Sequence, residues 1–179
     1  MFGFIRRRLQ FVEVAQSILG NCRRLEPLFG LSGEGPKTAE WDRLEANLQG
    51  CNCAVVPLLT RVLMMEYSLV NIYRSAVGVS ATGEDYKTLV YSLVGAMKSD
   101  PMFGKAGLAY WDDLKDVQHD NERPVRNDAE ATEIIARIYG FWFLKNIGYP
   151  NLSISSNESL LLGMKVLENL RKLLLPKLN

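Results

Sequence analysis

The stretch PLLTRVLMMEYSLVNIYRSAV, from Pro57 to Val77, decides the fold. Its apolar residues recur three and four positions apart along its whole length, which is the spacing of a helix and far exceeds an ordinary strand. Pro57 is tolerated in a first helical turn, and Gly78 is a typical terminator. The stretch therefore predicts one long helix, with a polar side formed by Arg61, Ser68, Asn71, Arg74 and Ser75.

The same helical spacing extends along most of the chain, and no segment shows the strict alternation of a strand. Capping residues and Gly or Pro breaks divide the rest into further predicted helices. These are about Phe2–Leu19, a helix that Thr38 caps and Gly50 ends, one from Thr82 to the stop at Asp100-Pro101, Ala106–Asp120, Asp128–Ile147, and a last helix that begins at the box Ser155–Glu158 and ends before Pro176. We expect an all-α fold, a single compact bundle of six to seven helices over residues 1–179 without significant β-sheet.

The amino-acid composition excludes several classes of function. The 179 residues carry 21 basic and 20 acidic side chains, and a net charge of +1 gives no overall attraction to nucleic acid. The one histidine, His119, excludes metal sites built from several histidines. Cys51 and Cys53 are too close along the chain to bridge easily, and the cysteine count is odd. We therefore expect free thiols, a cytoplasmic protein without a resident cofactor, and no nucleic-acid partner.

Two features concern membrane contact. The longest uncharged run, Ala46–Thr60, contains polar residues and falls short of the ~20 apolar residues of a spanning helix, so we expect no integral membrane association. The N-terminal segment places Arg6, Arg7 and Arg8 beside phenylalanines, a combination that favours peripheral contact with an anionic membrane surface. The alternative is that this segment docks into the bundle, because most of its circumference is apolar.

Glu66 is a candidate functional residue because it lies in the apolar arc of the Pro57–Val77 helix, between Val62 and Val70. A carboxylate in such a position needs a partner, or it keeps its proton to higher pH. One interpretation is a buried acid or ligand contact. The other is a structural group, either paired with an arginine or tyrosine of another helix or placed at the edge of its own.

The sequence Asp112-Asp113-Leu114-Lys115-Asp116 resembles DDxxD, the pattern with which prenyl-diphosphate enzymes hold magnesium against a diphosphate. Helical spacing places Asp112 and Asp116 on one side with Asp113 beside them, so oxygen ligands for Mg²⁺ can converge. One interpretation of this spacing, the alternative to a non-enzymatic protein, is a magnesium-dependent enzyme acting on a phosphate or diphosphate ester, with these three aspartates as metal ligands. The alternative interpretation is a solvated, charged helix face.

The C-terminal segment Asn151–Asn179 is apolar over more than half of its predicted helix, which is more than one neighbouring helix covers. It is therefore a candidate interface, with the contact residues Leu160, Leu161, Met164, Leu167, Leu170 and Leu174.

Because the chain has no intact cofactor motif, we expect a non-enzymatic interaction module, an adaptor, regulator or inhibitor, that binds itself or a protein partner. Besides the magnesium enzyme, a bundle that binds a small apolar ligand between Glu66 and the region of Trp142 is an alternative.

Overall fold

A computed structural model describes the backbone of residues 12–20, 38–76 and 83–178, and the side chains of these ranges except 72–76 and 173–178. The described residues form seven helices and one 3-10 turn, with no strand among them, so the predicted all-α bundle is confirmed. In chain order the elements are α1 (12–20), α2 (Ala39–Leu48), the 3-10 turn (Cys53–Val55), α3 (Val56–Ala76), α4 (Gly83–Ser99), α5 (Gly104–Asp120), α6 (Asp128–Asn146) and α7 (Asn157–Leu178). The stretch Arg6–Arg8 and the predicted cap Thr82 lie outside the described residues.

The structure confirms the predicted cap of α2, corrects both predicted ends of α7, and starts α5 at Gly104, two residues before its predicted start. Thr38 caps α2 as expected, since its Oγ1 accepts a hydrogen bond from the Trp41 backbone N–H at 3.2 Å. The cap of α7 is Ser156 instead of Ser155, because the Ser159 N–H donates to Ser156 Oγ at 3.2 Å and the helix starts at Asn157. The predicted stop before Pro176 is also wrong, because α7 continues to Leu178.

Helix α3 lies in the middle of the core. Every residue from Leu59 to Leu69 is buried except Arg61, whose Nη1 donates to the Met102 carbonyl oxygen at 3.1 Å. The helix contacts α5, α6 and α7, and one apolar cluster joins residues of all seven helices. A helix that is apolar nearly all round needs neighbours on nearly all sides, and α3 has them.

By length and composition, one described helical stretch is apolar enough to cross a membrane: Cys53–Asn71, which contains most of α3. Half of this stretch is buried inside the bundle. The expectation of no spanning segment depended on the uncharged run that ends at Thr60, whereas the helix continues apolar through Arg61 and Glu66. A central helix of a bundle has the same length and composition as a spanning one.

Helices α6 and α7 touch backbone to backbone, and among the described helix pairs theirs is the most extensive contact. A Cβ atom added to Gly140 would lie 1.9 Å from the Ser159 carbonyl oxygen, and one added to Gly163 would lie 1.7 Å from that of Ala136. Each helix therefore contributes a pair of small residues four positions apart, Ala136 with Gly140 and Ser159 with Gly163. Small residues at this spacing let two helix axes approach closely.

Replacing Gly163 by alanine is expected to destabilise the protein by about 3 kcal/mol, because the new methyl group must push α6 and α7 apart. The matched control is Gly95→Ala in α4, where nothing lies within 4 Å of the added Cβ. That substitution should stabilise the protein by about 0.5–1 kcal/mol through helix propensity. Urea denaturation measures both values, and a loss below 1 kcal/mol for Gly163→Ala would contradict the backbone contact.

Candidate functional site

Glu66 is buried, 1% exposed, and accepts three hydrogen bonds from α5. Trp111 Nε1 donates to its Oε2 at 3.0 Å, while Lys115 Nζ and Gln118 Nε2 donate to its Oε1 at 2.6 and 3.2 Å. The donors lie one turn apart on α5, and the Lys115 ammonium also sits 5.4 Å from the centre of the Trp111 ring. The Glu66 carboxylate thus accepts hydrogen bonds from an indole, an ammonium and an amide group where α3 contacts α5.

The sequence predicts an arginine or a tyrosine as the partner of a structural Glu66. In the structure the partners are Lys115, Trp111 and Gln118 instead. Tyr139 lies nearby, and burial, with a smaller contribution from the Glu66 charge, raises the pKa of its phenol well above the usual value. Neither Glu66 nor Trp142 lines the surface cavity between α1 and α4, the one beside the first half of α6 or the one along α7. The arrangement fixes two helices against each other, which is the structural interpretation of this residue.

The three aspartates predicted as magnesium ligands lie on two sides of α5. Asp113 turns toward α6, where Lys145 Nζ donates to its Oδ1 at 2.6 Å and Asn146 Nδ2 to its Oδ2 at 3.0 Å. Asp112 and Asp116 are exposed on the outer side of the helix. Within the described ranges, no three His, Cys, Asp or Glu side chains are grouped as a metal ion needs.

The carboxyl of Asp113 has a lowered pKa. Partial burial acts to raise the pKa, but the hydrogen bonds from Lys145 and Asn146 and the Lys145 charge lower it by more. Both oxygens of the Asp113 carboxylate therefore accept hydrogen bonds from α6, and these bonds hold α5 against α6.

Cys51 and Cys53 are free thiols, as the sequence predicts. Cys51 is half-buried and its Sγ donates to the Asn47 carbonyl oxygen at 3.5 Å, whereas Cys53 is exposed. Burial and the neighbouring Cys53 raise the pKa of the Cys51 thiol, which disfavours the reactive thiolate.

The residues predicted as the C-terminal interface divide between core and surface. Leu167 and Leu170 are in the core, Leu160 and Leu161 are half-buried, and Met164 is 45% exposed; α7 includes Leu174 but its side chain lies outside the described ones. A surface groove of about 440 Å³ runs along the outer side of α7. We call this side the α7 face, and its residues are Leu161, Met164, Lys165, Leu167, Glu168, Arg171 and Lys172.

A second depression lies where the end of α5 meets the first half of α6 and the loop before α7. It has a volume of about 450 Å³, and Ile134, Ile138 and Ile154 form its apolar part. We call it the isoleucine cavity, and its remaining lining residues are Asp120, Asn121, Glu122, Arg123, Arg137 and Ser155. No sequence pattern marks this cavity, because Ile134 and Ile138 lie in α6 and Ile154 lies in the loop before α7.

Replacing Glu66 by glutamine should cost about 2 kcal/mol, because the Lys115 ammonium then loses its anionic acceptor in a largely dry contact. The matched control is Glu84→Gln, which removes an exposed ion pair with Lys87 and should cost less than 1 kcal/mol. Chemical denaturation followed by circular dichroism measures both. Equal, small effects would contradict the role of Glu66 in holding α3 to α5.

Asp113 should make stability depend on pH in the acid range. Since its pKa is lowered by folding, its contribution is present above the pKa of the unfolded chain, ~3.9, and is lost as the pH falls. The difference in unfolding free energy between the native protein and Asp113→Asn should therefore shrink from neutral pH towards about pH 3. Lys145→Met should remove most of this pH dependence, and a constant difference would contradict the contact.

The chain matches no protein-family model, and comparison with curated proteins and with solved structures finds no significant match. What this protein binds is therefore inferred from its own contacts, charges and exposed faces.

Proposed function

We propose that the protein is a non-enzymatic helical interaction module that associates with a second copy of itself through the α7 face. The observation that carries this proposal is an apolar patch on the outward side of α7. Met164 is 45% exposed, the half-buried Leu161 lies one turn before it, and charged residues line the same groove.

An antiparallel pair of α7 helices related by a two-fold axis places Met164 of one copy next to Met164 of the other, and the symmetry repeats every other contact. Glu168 and Lys172 of each copy form an ion pair with each other, so these two charges are balanced within each helix. The opposed helix dipoles also favour the antiparallel arrangement.

The apolar part of the α7 face supplies the centre of the contact. Met164 is exposed in the isolated chain and would lie next to its symmetry mate, with Leu161 at its side. An unbranched thioether adapts to the opposing surface, which suits a small helix-to-helix contact. Charged residues around an apolar centre are the usual anatomy of such an interface.

The core side of α7 limits what the interface includes. Leu170 contacts the inside of its own bundle and is fully buried, so it supports α7 from within, whereas Leu167 is nearly buried and only its edge lines the groove. Of the six predicted interface residues, Leu161 and Met164 are therefore the ones proposed to form the contact between copies.

The apolar centre gives a direct test by mutation. Met164→Lys should weaken association about tenfold or more, a loss of ~1.4 kcal/mol or more, because the two-fold axis places two ammonium groups next to each other in place of an apolar contact. Met164→Leu keeps the centre apolar and should associate like the native protein.

Analytical ultracentrifugation of the full chain over a range of protein concentrations measures these states. Tyr91→Lys on α4, where the replaced side chain is 74% exposed, adds the same charge away from the α7 face and should dimerise like the native protein. A monomeric native protein, or a Met164→Lys variant that dimerises as it does, would contradict the proposal.

A further inference from the structure

The turn between α2 and α3 brings Cys51 and Cys53 together. The backbone N–H of Cys53 donates to the carbonyl oxygen of Cys51 at 3.0 Å. Asn52, which lies between them, has φ −76° and ψ 86°. A hydrogen bond of this kind around a central residue with such angles is an inverse γ-turn. The two cysteines are therefore the first and last residues of one tight turn.

A γ-turn shortens the distance between the Cα atoms of its first and last residues. A fully extended chain would separate these two atoms by about 7 Å, and a disulfide needs a separation of about 4.4–6.8 Å. Because the hydrogen bond between Cys53 and Cys51 folds the backbone back, the separation falls within the range that a disulfide spans. The short spacing in sequence disfavours a bridge in an extended chain, but the turn makes one possible here.

The rest of the bundle holds this turn in place. The Asn52 backbone N–H donates to the Ile147 carbonyl oxygen at the end of α6, at 2.8 Å. The Asn52 side-chain Oδ1 accepts a hydrogen bond from the Ala54 N–H at 3.2 Å. The fold therefore fixes the two cysteines close together before any bridge forms, so that a bridge costs little further loop-closure entropy.

The two thiols differ in how easily a molecule in solution reaches them. Cys53 is exposed, whereas Cys51 is half-buried and its Sγ donates to the Asn47 carbonyl oxygen. Burial, with a smaller effect of the Cys53 charge, raises the pKa of the Cys51 thiol. Cys53 is thus placed to react first with a molecule from solution, and Cys51 is placed to react second with Cys53.

We propose that Cys51 and Cys53 form a redox-active dithiol site that reduces small disulfides and is itself oxidised to a reversible disulfide. The Cys53 thiolate attacks one sulfur of the small disulfide, whose S–S bond breaks, and one thiolate leaves. The Cys51 thiol releases its proton, its sulfur bonds to the Cys53 sulfur, and the second small thiolate leaves. The small disulfide gains two electrons and, with the two cysteine protons, becomes two thiols.

The bridge in this proposal is labile. It closes a small ring across one residue at an exposed turn, and strained or exposed disulfides are readily reduced. It therefore opens again when small thiols are in excess, which makes the pair a redox site and not a structural link. This inference is independent of self-association, because neither cysteine belongs to the α7 face.

The test equilibrates the full chain in buffers that contain different ratios of reduced to oxidised glutathione. Free thiols are then blocked with N-ethylmaleimide, and tryptic peptides are analysed by mass spectrometry. Cleavage after Arg43 and Arg61 leaves Cys51 and Cys53 in one peptide and Cys22 in another. The peptide with both cysteines should lack N-ethylmaleimide and two hydrogen atoms in oxidising buffers, and should regain its free thiols as reduced glutathione increases.

Single serine variants separate the roles of the two thiols. Cys51→Ser should accumulate a mixed disulfide between glutathione and Cys53, because the second step is blocked. Cys53→Ser should form a glutathione adduct at Cys51 about tenfold more slowly or less, because that thiol is half-buried and less often ionised. The matched control is Cys22→Ser, which should form the bridge between Cys51 and Cys53 like the native protein.

The contribution of the folded turn is measured by repeating the equilibration in urea. Because the fold holds the two cysteines close together, the folded protein should form the bridge with an equilibrium constant about tenfold or more above that of the unfolded chain.

Three results would overturn the inference. The first is that no bridge forms between Cys51 and Cys53 at any glutathione ratio, or that the bridge formed includes Cys22 instead. The second is that the two single variants form glutathione adducts at equal rates. The third is that the folded protein and the unfolded chain form the bridge with the same equilibrium constant.

Discussion

The backbone contact between α6 and α7 is the constraint on which the rest of the structure depends. Gly140 and Gly163 bring the two helices so close that neither position has room for a methyl group. Contact at this distance fixes the rotation of α7 about its own axis, because only the side with Ser159 and Gly163 is small enough to enter it. The opposite side, the α7 face, must then point outward. Self-association in our proposal follows from this rotation.

Two polar contacts hold α5 in the same frame. Glu66 joins it to α3 through Trp111, Lys115 and Gln118, and Asp113 joins it to α6 through Lys145. The buried Glu66 holds α5 on one side and Asp113, at the edge of the core, holds it on another. Its C-terminal end is thereby placed beside the first half of α6, where the isoleucine cavity forms.

Much of the fold was predictable because it depends on local patterns. The Pro57–Val77 stretch forms a helix within one residue of its predicted bounds, and Thr38 caps α2 as its position suggests. Glu66 was recognisable as a buried acid from spacing alone. Its partners were not, because the turn of α5 that faces α3 is decided by packing between segments distant in the chain.

The parts that were missed depend on which side of a helix meets its neighbour. Most of the circumference of α7 is apolar, so the sequence pattern does not predict which apolar residues face the core. It does not show that Leu167 and Leu170 face inward while Met164 faces outward. The pairs Ala136 with Gly140 and Ser159 with Gly163 carry a readable signal, small residues four apart. That signal shows that two helices can approach closely but not that they pair with each other.

The most direct test of the central account is an isotope-filtered NOE spectrum of a mixed sample, in which only half of the copies carry labelled methionine and leucine methyl groups. The account predicts intermolecular NOEs between the Met164 methyl group of one copy and the Met164 and Leu161 methyl groups of the other. Intermolecular NOEs elsewhere on the surface and none at Met164 would contradict it.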